Sequence, residues 1–445
     1  MSDHARDGPA RPTPHRIGSL RFELDGRDEA ALLRLRGEIV GGADSWIPAA
    51  LDDAFSALDA AGHTLRIARL EVDLGALPQS GIDRAALTAA LRSALAARLA
   101  ALPEGGEAPP RISPARHSLA AALRHFLATG RLPWWSPVAS VAALEQSLED
   151  LDVAAFRETV RRAAAILARL RGARRLVLQF TPEVAARIAA ALPAAQPGDF
   201  EAAAWPKPAQ REAVEALVAR LRRVAAASLA GSGSGRDEGD ARTAARRAMR
   251  ADAVQPAAVG ARDAAEPPDE GDEDFPEDGL DIAVADAGLV LLHPFLPALF
   301  EARGLAAAGG FRGETEQQRA IQLAASLASG EVAREEPEMV IAKLLCGWPL
   351  EAPVPRETAL DHAELAEAEA LLRAAIGHWT ALGQASPEAL RETFLTRPGR
   401  LRERADAWQL EVERRGVDVL LERLPWALNP IRLPWMPLPL HVTWA

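Results

Sequence analysis

Few residues of this chain have the type and spacing that chemistry requires. The nine histidines form no pair with each other or with cysteine at the spacing of a zinc site, so the sequence predicts no metal ion. One acidic cluster at helical spacing could supply a general acid and base, but it is more typical of a charged helix face in solvent: Asp361, His362, Glu364 and Glu367. We therefore predict no catalytic residues.

Signals for a reactive thiol or a phosphate site are equally weak. Cys346, the single cysteine, lies in the apolar run 340–348 and is expected to be a small buried residue. One cysteine excludes an internal disulfide and fits a reducing compartment. The Gly/Ser stretch 231–235 has no following lysine and no strand-to-helix context, so it is interpreted as a linker. The sequence predicts no cofactor.

Tryptophans in proline-rigid contexts are the candidates for a binding surface. Leu-Pro-Trp occurs three times, and because proline fixes its own φ each copy presents an indole at a non-helical corner. Core burial is expected for each ring taken singly. As a set they are the predicted partner-interface residues, since large aromatic anchors dominate interface energetics: Trp134, Trp135, Trp426, Trp435 and Trp444.

His293 is a sixth interface candidate, because it lies between Leu292 and Pro294 in an apolar segment. One interpretation is that its ring satisfies carbonyl groups that Pro294 and Pro297 leave without an amide donor. The other interpretation is a contact with a partner protein. Both remain open from the sequence.

Several segments occur in an order typical of one known family. In the second half these are residues 286–297, 343–347, 378–379 and 390–395, followed by the last two Leu-Pro-Trp steps. Residues 15–24, 69–75 and 126–135 add a looser similarity in the first half. The sequence resembles the contractile injection system tape measure family. The resemblance implies a structural protein that occupies the tube lumen or its initiator and sets how many tube rings are added.

Physical size leaves a second function open. A fully helical chain of this length would reach only about 670 Å, and 33 prolines and 32 glycines divide this chain into shorter pieces. The alternative is a globular assembly chaperone or a tube-cap or baseplate adaptor. Either function implies tube, baseplate or cap proteins as partners. A third class, an enzyme such as a peptidoglycan hydrolase, would need a carboxylate pair in a cleft with one pKa raised, which a sequence does not reveal.

Composition excludes other classes of function. The net charge of the 445-residue chain is −11, and the acid excess lies mainly in one tract, which disfavours nucleic-acid binding. The sequence has no run of about 18 apolar residues, so it predicts no membrane-spanning segment. Residues 1–14 are polar and lack the apolar core of a secretory signal. We expect a cytoplasmic protein that is assembled into or onto a phage-tail-like particle.

The predicted fold class is mainly α with small α+β parts, as short-helix bundles in two halves joined by a disordered acidic linker. A hydrophobic content of 49% is enough to bury cores, and the length indicates two or three domains. The predicted limits are a disordered N-terminus, a small α+β domain, a helical domain, the linker, and a mostly helical C-terminal domain with terminal strands: 1–14, 15–110, 111–230, 231–279 and 280–445.

The linker prediction depends on charge. Ten acidic residues and no basic residue lie between Asp263 and Asp281. Such a segment cannot bury enough apolar surface to offset its ordering entropy. It is interpreted as a solubilising spacer or as a docking segment for an arginine-rich partner.

Periodicity predicts the individual elements. Period-2 alternation predicts strands at 20–24, 65–74, 280–284, 408–412 and 438–444, the last pairing with 408–412 or lying on a neighbour's edge. Helical periodicity predicts the rest: 30–35, 47–58, 82–102, 118–129, 140–148, 153–170, 181–192, 209–229, 288–300, 316–328, 339–346, 362–382 and 387–395.

Overall fold

The chain was analysed as a computed structural model, which describes residues 17, 20–26, 28–42, 46–56, 63–66, 70, 72–75, 84–100, 111–133, 135–231, 282–332, 334–356 and 360–444. Helices predominate and the strands are short, so the predicted fold class is confirmed. The chain divides into two compact units, Met1–Ser118 with Trp134–Pro137 and Leu119–Pro133 with Val138–Ala445. The predicted N-terminal tail 1–14 and the predicted linker, beyond Gly231, lie outside the described residues.

The first unit combines three described helices with one pair of strands. The helices are α1 (Glu29–Gly42), α2 (Trp46–Ser56) and α3 (Arg84–Ala100), all at predicted positions. Strands β1 (His63–Arg66) and β2 (Arg111–Pro114) pair antiparallel. The helices bury a small apolar core, consistent with the amphipathic periodicity that predicts them: Leu35, Trp46, Ile47, Ala50, Leu51, Leu87, Leu91 and Leu95.

Two strand predictions in this unit need correction. Residues 20–24 alternate as a strand should, but they form neither a strand nor a helix. The predicted strand at 65–74 is also wrong in extent, because β1 ends at Arg66 and residues 72–75 are irregular. Alternation reports only which side chains face an apolar surface, whereas a strand also needs a neighbour for its backbone.

The second unit begins with short helices. They are α4 (Ala115–Thr129, whose first turn belongs to the first unit), α5 (Val141–Glu149), α6 (Val153–Leu167), α7 (Leu170–Gln179), α8 (Pro182–Ala190) and α9 (Arg211–Gly231). The side chains of Ser140 and Asp152 accept hydrogen bonds from Ala143 N and Ala155 N, so they cap α5 and α6. Helix α8 starts with a proline, as predicted.

Helix α7 was not predicted. The predicted helix 153–170 ends at Leu167, and the chain turns before a second helix begins at Leu170. The buried side of α7 includes Arg175 and Gln179, which interrupt the apolar stripe by which helices are recognised. These two polar side chains belong to the candidate site described below.

Beyond residue 282 the elements are shorter and more varied. Strand β3 (Ile282–Val284) leads into a 3-10 helix (Ala287–Phe295) and α10 (Leu296–Ala302). A small hairpin, β4 (Ala306–Ala307) and β5 (Gly310–Phe311), precedes α11 (Glu314–Ser329). The remaining elements are a 3-10 turn (Glu336–Glu338), α12 (Val340–Leu345), α13 (His362–His378), a second 3-10 turn (Thr380–Leu382), α14 (Pro387–Leu390), a π-helix (Arg391–Leu395), β6 (Gly399–Glu403), β7 (Trp408–Val412), a 3-10 helix (Gly416–Arg423) and β8 (Leu440–Trp444).

One four-stranded sheet has the order β3-β6-β7-β8. Strand β8 pairs parallel with β7, with Trp408 opposite Leu440 and Val412 opposite Trp444, so the predicted pairing of the terminal strand with 408–412 is confirmed. On its outer edge, Leu440 exchanges two backbone hydrogen bonds with Ile431. One part of that edge is therefore already occupied by the chain itself.

The second unit includes described residues from both sides of the predicted linker. Residues 138–231 and 282–444 belong to the same compact body, although their apolar cores are distinct clusters. The exact limits of the predicted domains stay a prediction. Polar contacts join the two sides, as the candidate site shows.

A close backbone approach in the second unit gives a first prediction. A Cβ on Gly288 would overlap the carbonyl oxygen of Phe394, whereas a Cβ on the exposed helical Gly377 would meet nothing within 4 Å. Gly288→Ala should lower the free energy of unfolding by about 3 kcal/mol, because backbone cannot give way like a flexible side chain. Gly377→Ala should raise it by about 0.5–1 kcal/mol. Denaturant unfolding of both variants checks this, and equal effects would contradict the packing.

Candidate functional site

A buried ion pair joins α7 to the 3-10 turn that begins at Glu336. Arg175 and Glu336 have 0% and 1% exposure, although they are 161 positions apart. The guanidinium donates from Nε to Glu336 Oε2 at 2.9 Å and from Nη2 to Oε1 at 3.2 Å. This is the bidentate geometry that makes arginine-carboxylate pairs specific as well as strong.

Lys343 completes this group, which we call the buried node: Arg175, Glu336 and Lys343. Lys343 Nζ donates to Glu336 Oε1 at 2.5 Å, and also to the carbonyls of Leu350 and Ala352 at 3.1 and 2.9 Å. Burial lowers the pKa of Lys343 below its usual value, while Glu336 opposes that shift. Nζ has three acceptors, which matches the three hydrogens of an ammonium group, so the node contains two cations and one anion.

Two of the family-like segments meet at the node. Arg175 Nη1 donates to the carbonyl of Leu127, in the segment 126–135, and Lys343 begins the segment 343–347. Gly130 has a φ of +78°, and a Cβ there would overlap the carboxylate of Glu336. Two features thus favour glycine at 130: the positive φ of its backbone and the closeness of the Glu336 carboxylate.

Residues 350–356, which we call the strap, run through the same region. Pro353, Val354 and Pro355 are buried, but no described strand pairs with them. Side chains bind the carbonyl oxygens instead, and the amide of Arg356 donates to the carbonyl of Leu178 at 3.0 Å. The carbonyls and their donors are Leu350 (Lys343), Glu351 (Arg175), Ala352 (Lys343 and Trp348), Val354 (Gln179) and Pro355 (Gln322).

A second polar contact lies beside the node. Glu335 accepts from the amides of Val141 and Ala142 at 2.5 and 2.9 Å, so its carboxylate caps the N-terminus of α5. Arg356 donates to Glu145 at 3.0 Å and lies 3.7 Å from Glu335. The acids at 335 and 336 therefore bind two different helices on the other side of the predicted linker.

These contacts make the two sides of the linker dependent on each other. Removing a cation or an anion from water is expensive, and only a partner with good geometry offsets that cost. Glu336 without Arg175 would leave a buried charge balanced by Lys343 alone. The arrangement can do no evident chemistry, but it specifies how the segments pack.

The predicted interface tryptophans lie in different environments. Trp426 and Trp435 are half-buried against the apolar core, and their indole nitrogens donate to the carbonyls of Leu291 at 3.0 Å and Leu345 at 2.7 Å. Trp444 is half-buried, with the guanidinium of Arg397 5.6 Å from its ring centre. Each ring already has a role inside the chain, and a role in partner binding stays a prediction.

The other interface candidates are less informative. Trp135 is half-buried in the first unit, and Trp134 lies outside the described residues. His293 is half-buried, and its Nδ1 lies 3.0 Å from the carbonyl of Val290, four residues before Pro294. Burial lowers the pKa of His293. The ring thus contacts a backbone carbonyl, and both interpretations, a carbonyl freed by proline and a partner contact, stay predictions.

The predicted charged helix face is partly wrong. Asp361, His362 and Glu367 are exposed, but Glu364 is buried. Glu364 forms a reciprocal capping box with Asp361 and pairs with Arg319, whose Nη2 lies 2.8 Å from its carboxylate. Cys346 is buried as predicted, and burial raises its pKa. Among the described residues, no group of three potential ligands is arranged to hold a metal ion.

Sequence reasoning missed the members of the node. Lys343 carried a usable signal, because it is one of two lysines and interrupts the apolar run 340–348. Arg175 and Glu336 carried none, since the chain has many arginines and acids in helices. A second buried pair, Arg397 with Asp418 at 2.8 Å, was missed for the same reason.

The node predicts an asymmetric response to mutation. Glu336→Ala should lower the free energy of unfolding by about 3–5 kcal/mol, because it leaves two buried cations unpaired. Arg174→Met is the matched control, since the neighbouring Arg174 makes a largely exposed pair with Glu215 that should contribute less than about 1 kcal/mol. Combining Arg175→Met, Glu336→Leu and Lys343→Met should recover part of the loss. Denaturant unfolding with equal losses for Glu336→Ala and Arg174→Met would contradict this assignment.

A buried carboxyl predicts a dependence of stability on pH. Burial raises the pKa of Asp286 from 3.8 to about 6, although Arg334 donates to it at 2.8 Å. Because the folded-state pKa is the higher one, this group's contribution is full below pH 3.8 and is lost as the pH rises to about 6. The free energy of unfolding of the parent chain, relative to that of Asp286→Asn, should fall by roughly 3 kcal/mol over that pH range.

A control of opposite sign is available. The pKa of Asp361 is lowered, first by the amide of Glu364, so its stabilising contribution is present at neutral pH and lost on acidification. The free energies of unfolding of Asp361→Asn and of the parent chain should therefore differ mainly above the usual Asp pKa of 3.8. Unfolding free energies measured from pH 2 to 7.5 check both signs, and a flat difference for Asp286→Asn would refute the first.

The comparisons with known proteins identify the family of this chain. No curated protein and no solved structure matches the chain. The family model of the contractile injection system tape measure protein, however, matches residues 14–444. These residues include both units and every segment that meets at the node. The chain therefore belongs to the contractile injection system tape measure protein family.

Proposed function

We propose that this chain performs its tape-measure role as a folded protein that initiates tube assembly, and not as an extended ruler. The family assigns the tape-measure role in a contractile injection system. The observation that supports the folded form is the buried node, which joins segments from both sides of the predicted linker. Extension of the chain would have to break it.

Size supports the same proposal. A compact body of about 300 residues has a radius of gyration of about 19 Å, whereas a helix made of the whole chain would reach about 670 Å. Residues 231 and 282 both belong to one compact unit. Both ends of the predicted linker therefore lie on the same unit, so changing the length of the linker need not change how far the protein reaches.

A family member acts with other components of the injection system. We propose tube, baseplate or cap proteins as the direct partners. The faces of Trp426, Trp435 and Trp444 that remain accessible, with His293, are the proposed contacts, because a partner could cover them without disturbing their internal bonds. Trp134 and Trp135 complete the proposed set.

Three further properties belong to this proposal. The protein has no catalytic role, because its family is one of structural tail proteins. It folds in the cytoplasm before assembly into the particle, which suits a chain whose single thiol is buried. In the described part of the chain, no helix is long and apolar enough to cross a membrane.

Tube length distinguishes a folded initiator from a ruler. Residues 236–279 should be deleted in one variant and duplicated in another, each replacing the native chain in cells that assemble the particle. For an initiator, mean tube length by electron microscopy stays unchanged, because both ends of the predicted linker lie on one unit. A shift of mean length that follows the inserted segment would overturn the proposal.

Two controls make the result interpretable. Glu336→Ala, which weakens the fold, should reduce the number of particles per cell without shifting the length of those that form. Mass spectrometry of purified particles should detect the chain if it is an initiator. Its absence from mature particles would favour the assembly chaperone instead.

A further inference from the structure

Residues 20–24 of the first unit are strand-like in sequence but have no strand partner among the residues that the structure describes. The segment reads Leu20-Arg21-Phe22-Glu23-Leu24, with apolar and charged residues in strict alternation. No backbone hydrogen bond joins residues 20–26 to another described residue, and the segment is neither helix nor strand. An exposed strand edge is a place where another chain can add a strand.

The side chains of this segment are unusually accessible for their type. Leu20 and Leu24 are 51% and 38% exposed, while Phe22 between them packs against the core of the first unit. Arg21 and Glu23 are 86% and 85% exposed, and their charged atoms are 4.0 Å apart. An exposed pair of that kind contributes little to stability, so both charges are available for other contacts.

The segment is complementary to itself when a second copy runs antiparallel. With Phe22 opposite Phe22 of the other copy, Leu20 lies opposite Leu24, and Arg21 lies opposite Glu23. Every cross-strand pair is then apolar with apolar or positive with negative, which are the pairs that stabilise antiparallel strands. We propose that residues 20–24 are the contact through which two copies of this chain pair, as antiparallel strands related by a two-fold axis.

The burial pattern fits this arrangement. Residues directly opposite each other in an antiparallel pair share one face of the sheet, so both phenylalanines and all four leucines would lie on one face. That face is the one Phe22 already turns to the core of its own unit. The leucines of each copy would become covered, and the charges would form a ladder on the solvent face.

Charge complementarity is what selects a second copy as the occupant. A two-fold contact uses the same surface on both partners, so it requires a surface that matches itself. In an antiparallel copy the segment runs in the reverse order, so Arg21 of each copy meets Glu23 of the other. The surface therefore matches itself. This inference rests on the first unit alone and does not depend on the proposed tape-measure mechanism.

Charge reversal tests the contact in the full-length chain. Arg21→Glu places acid opposite acid at both cross-strand pairs, and Glu23→Arg places base opposite base. Each variant alone should raise the dissociation constant of the dimer by roughly tenfold or more. An equimolar mixture of the two should form a heterodimer, and the double variant Arg21→Glu with Glu23→Arg should pair with itself, because opposite charges meet again in both cases.

Sedimentation velocity over a range of concentrations measures these equilibria, and circular dichroism confirms that each variant is folded. Arg36→Glu, an exposed reversal on α1 of the same unit, is the matched control and should leave the dimer unchanged. A parent chain that remains monomeric at 100 µM, roughly the Kd of a weak contact, would overturn the proposal. So would a dimer insensitive to both reversals, or single variants that stay monomeric when mixed.

Discussion

The carboxylate of Glu336 lies out of water between the guanidinium of Arg175 and the ammonium of Lys343, and much of the second unit depends on that position. Charges are buried at tolerable cost only when each has a partner and each remaining donor has an acceptor. The remaining donors of the two cations bind carbonyls of Leu127 and of the strap. Satisfying the node therefore requires distant parts of the chain to come together.

The strap shows how this requirement replaces regular structure. Its prolines remove amide donors, so no sheet ladder is available to residues 350–356. Lys343, Arg175, Gln179 and Gln322 bind its carbonyls in place of a neighbouring strand. A buried irregular segment of this kind is stable only inside its own set of donors, which come from both sides of the predicted linker.

The same physics connects the fold to the role of the family. A buried ion pair is weak evidence for extra stability, but removing one of its partners is costly because the other charge stays buried and unpaired. A chain whose two sides share buried ions separates only at a cost of several kcal/mol, which favours action as a folded body. The predicted contact between copies lies in the other unit, where residues 20–24 could pair without opening the node.

Local sequence was enough to predict most elements of this protein. Amphipathic periodicity located α2, α3, α5, α8 and α11 within a few residues, and alternation located β7 and β8, because those patterns report which side faces a core. The family resemblance in residues 286–297 and 343–347 came from the sequence as well.

The tertiary structure decided the rest. It alone showed that Arg175 and Glu336 meet and that residues 20–24 lack a strand partner in the described chain, and it alone located the acceptors of the indoles of Trp426 and Trp435. Each of these outcomes depends on partners far away in the sequence, and a local pattern contains no information about which distant atom completes a hydrogen bond or an ion pair.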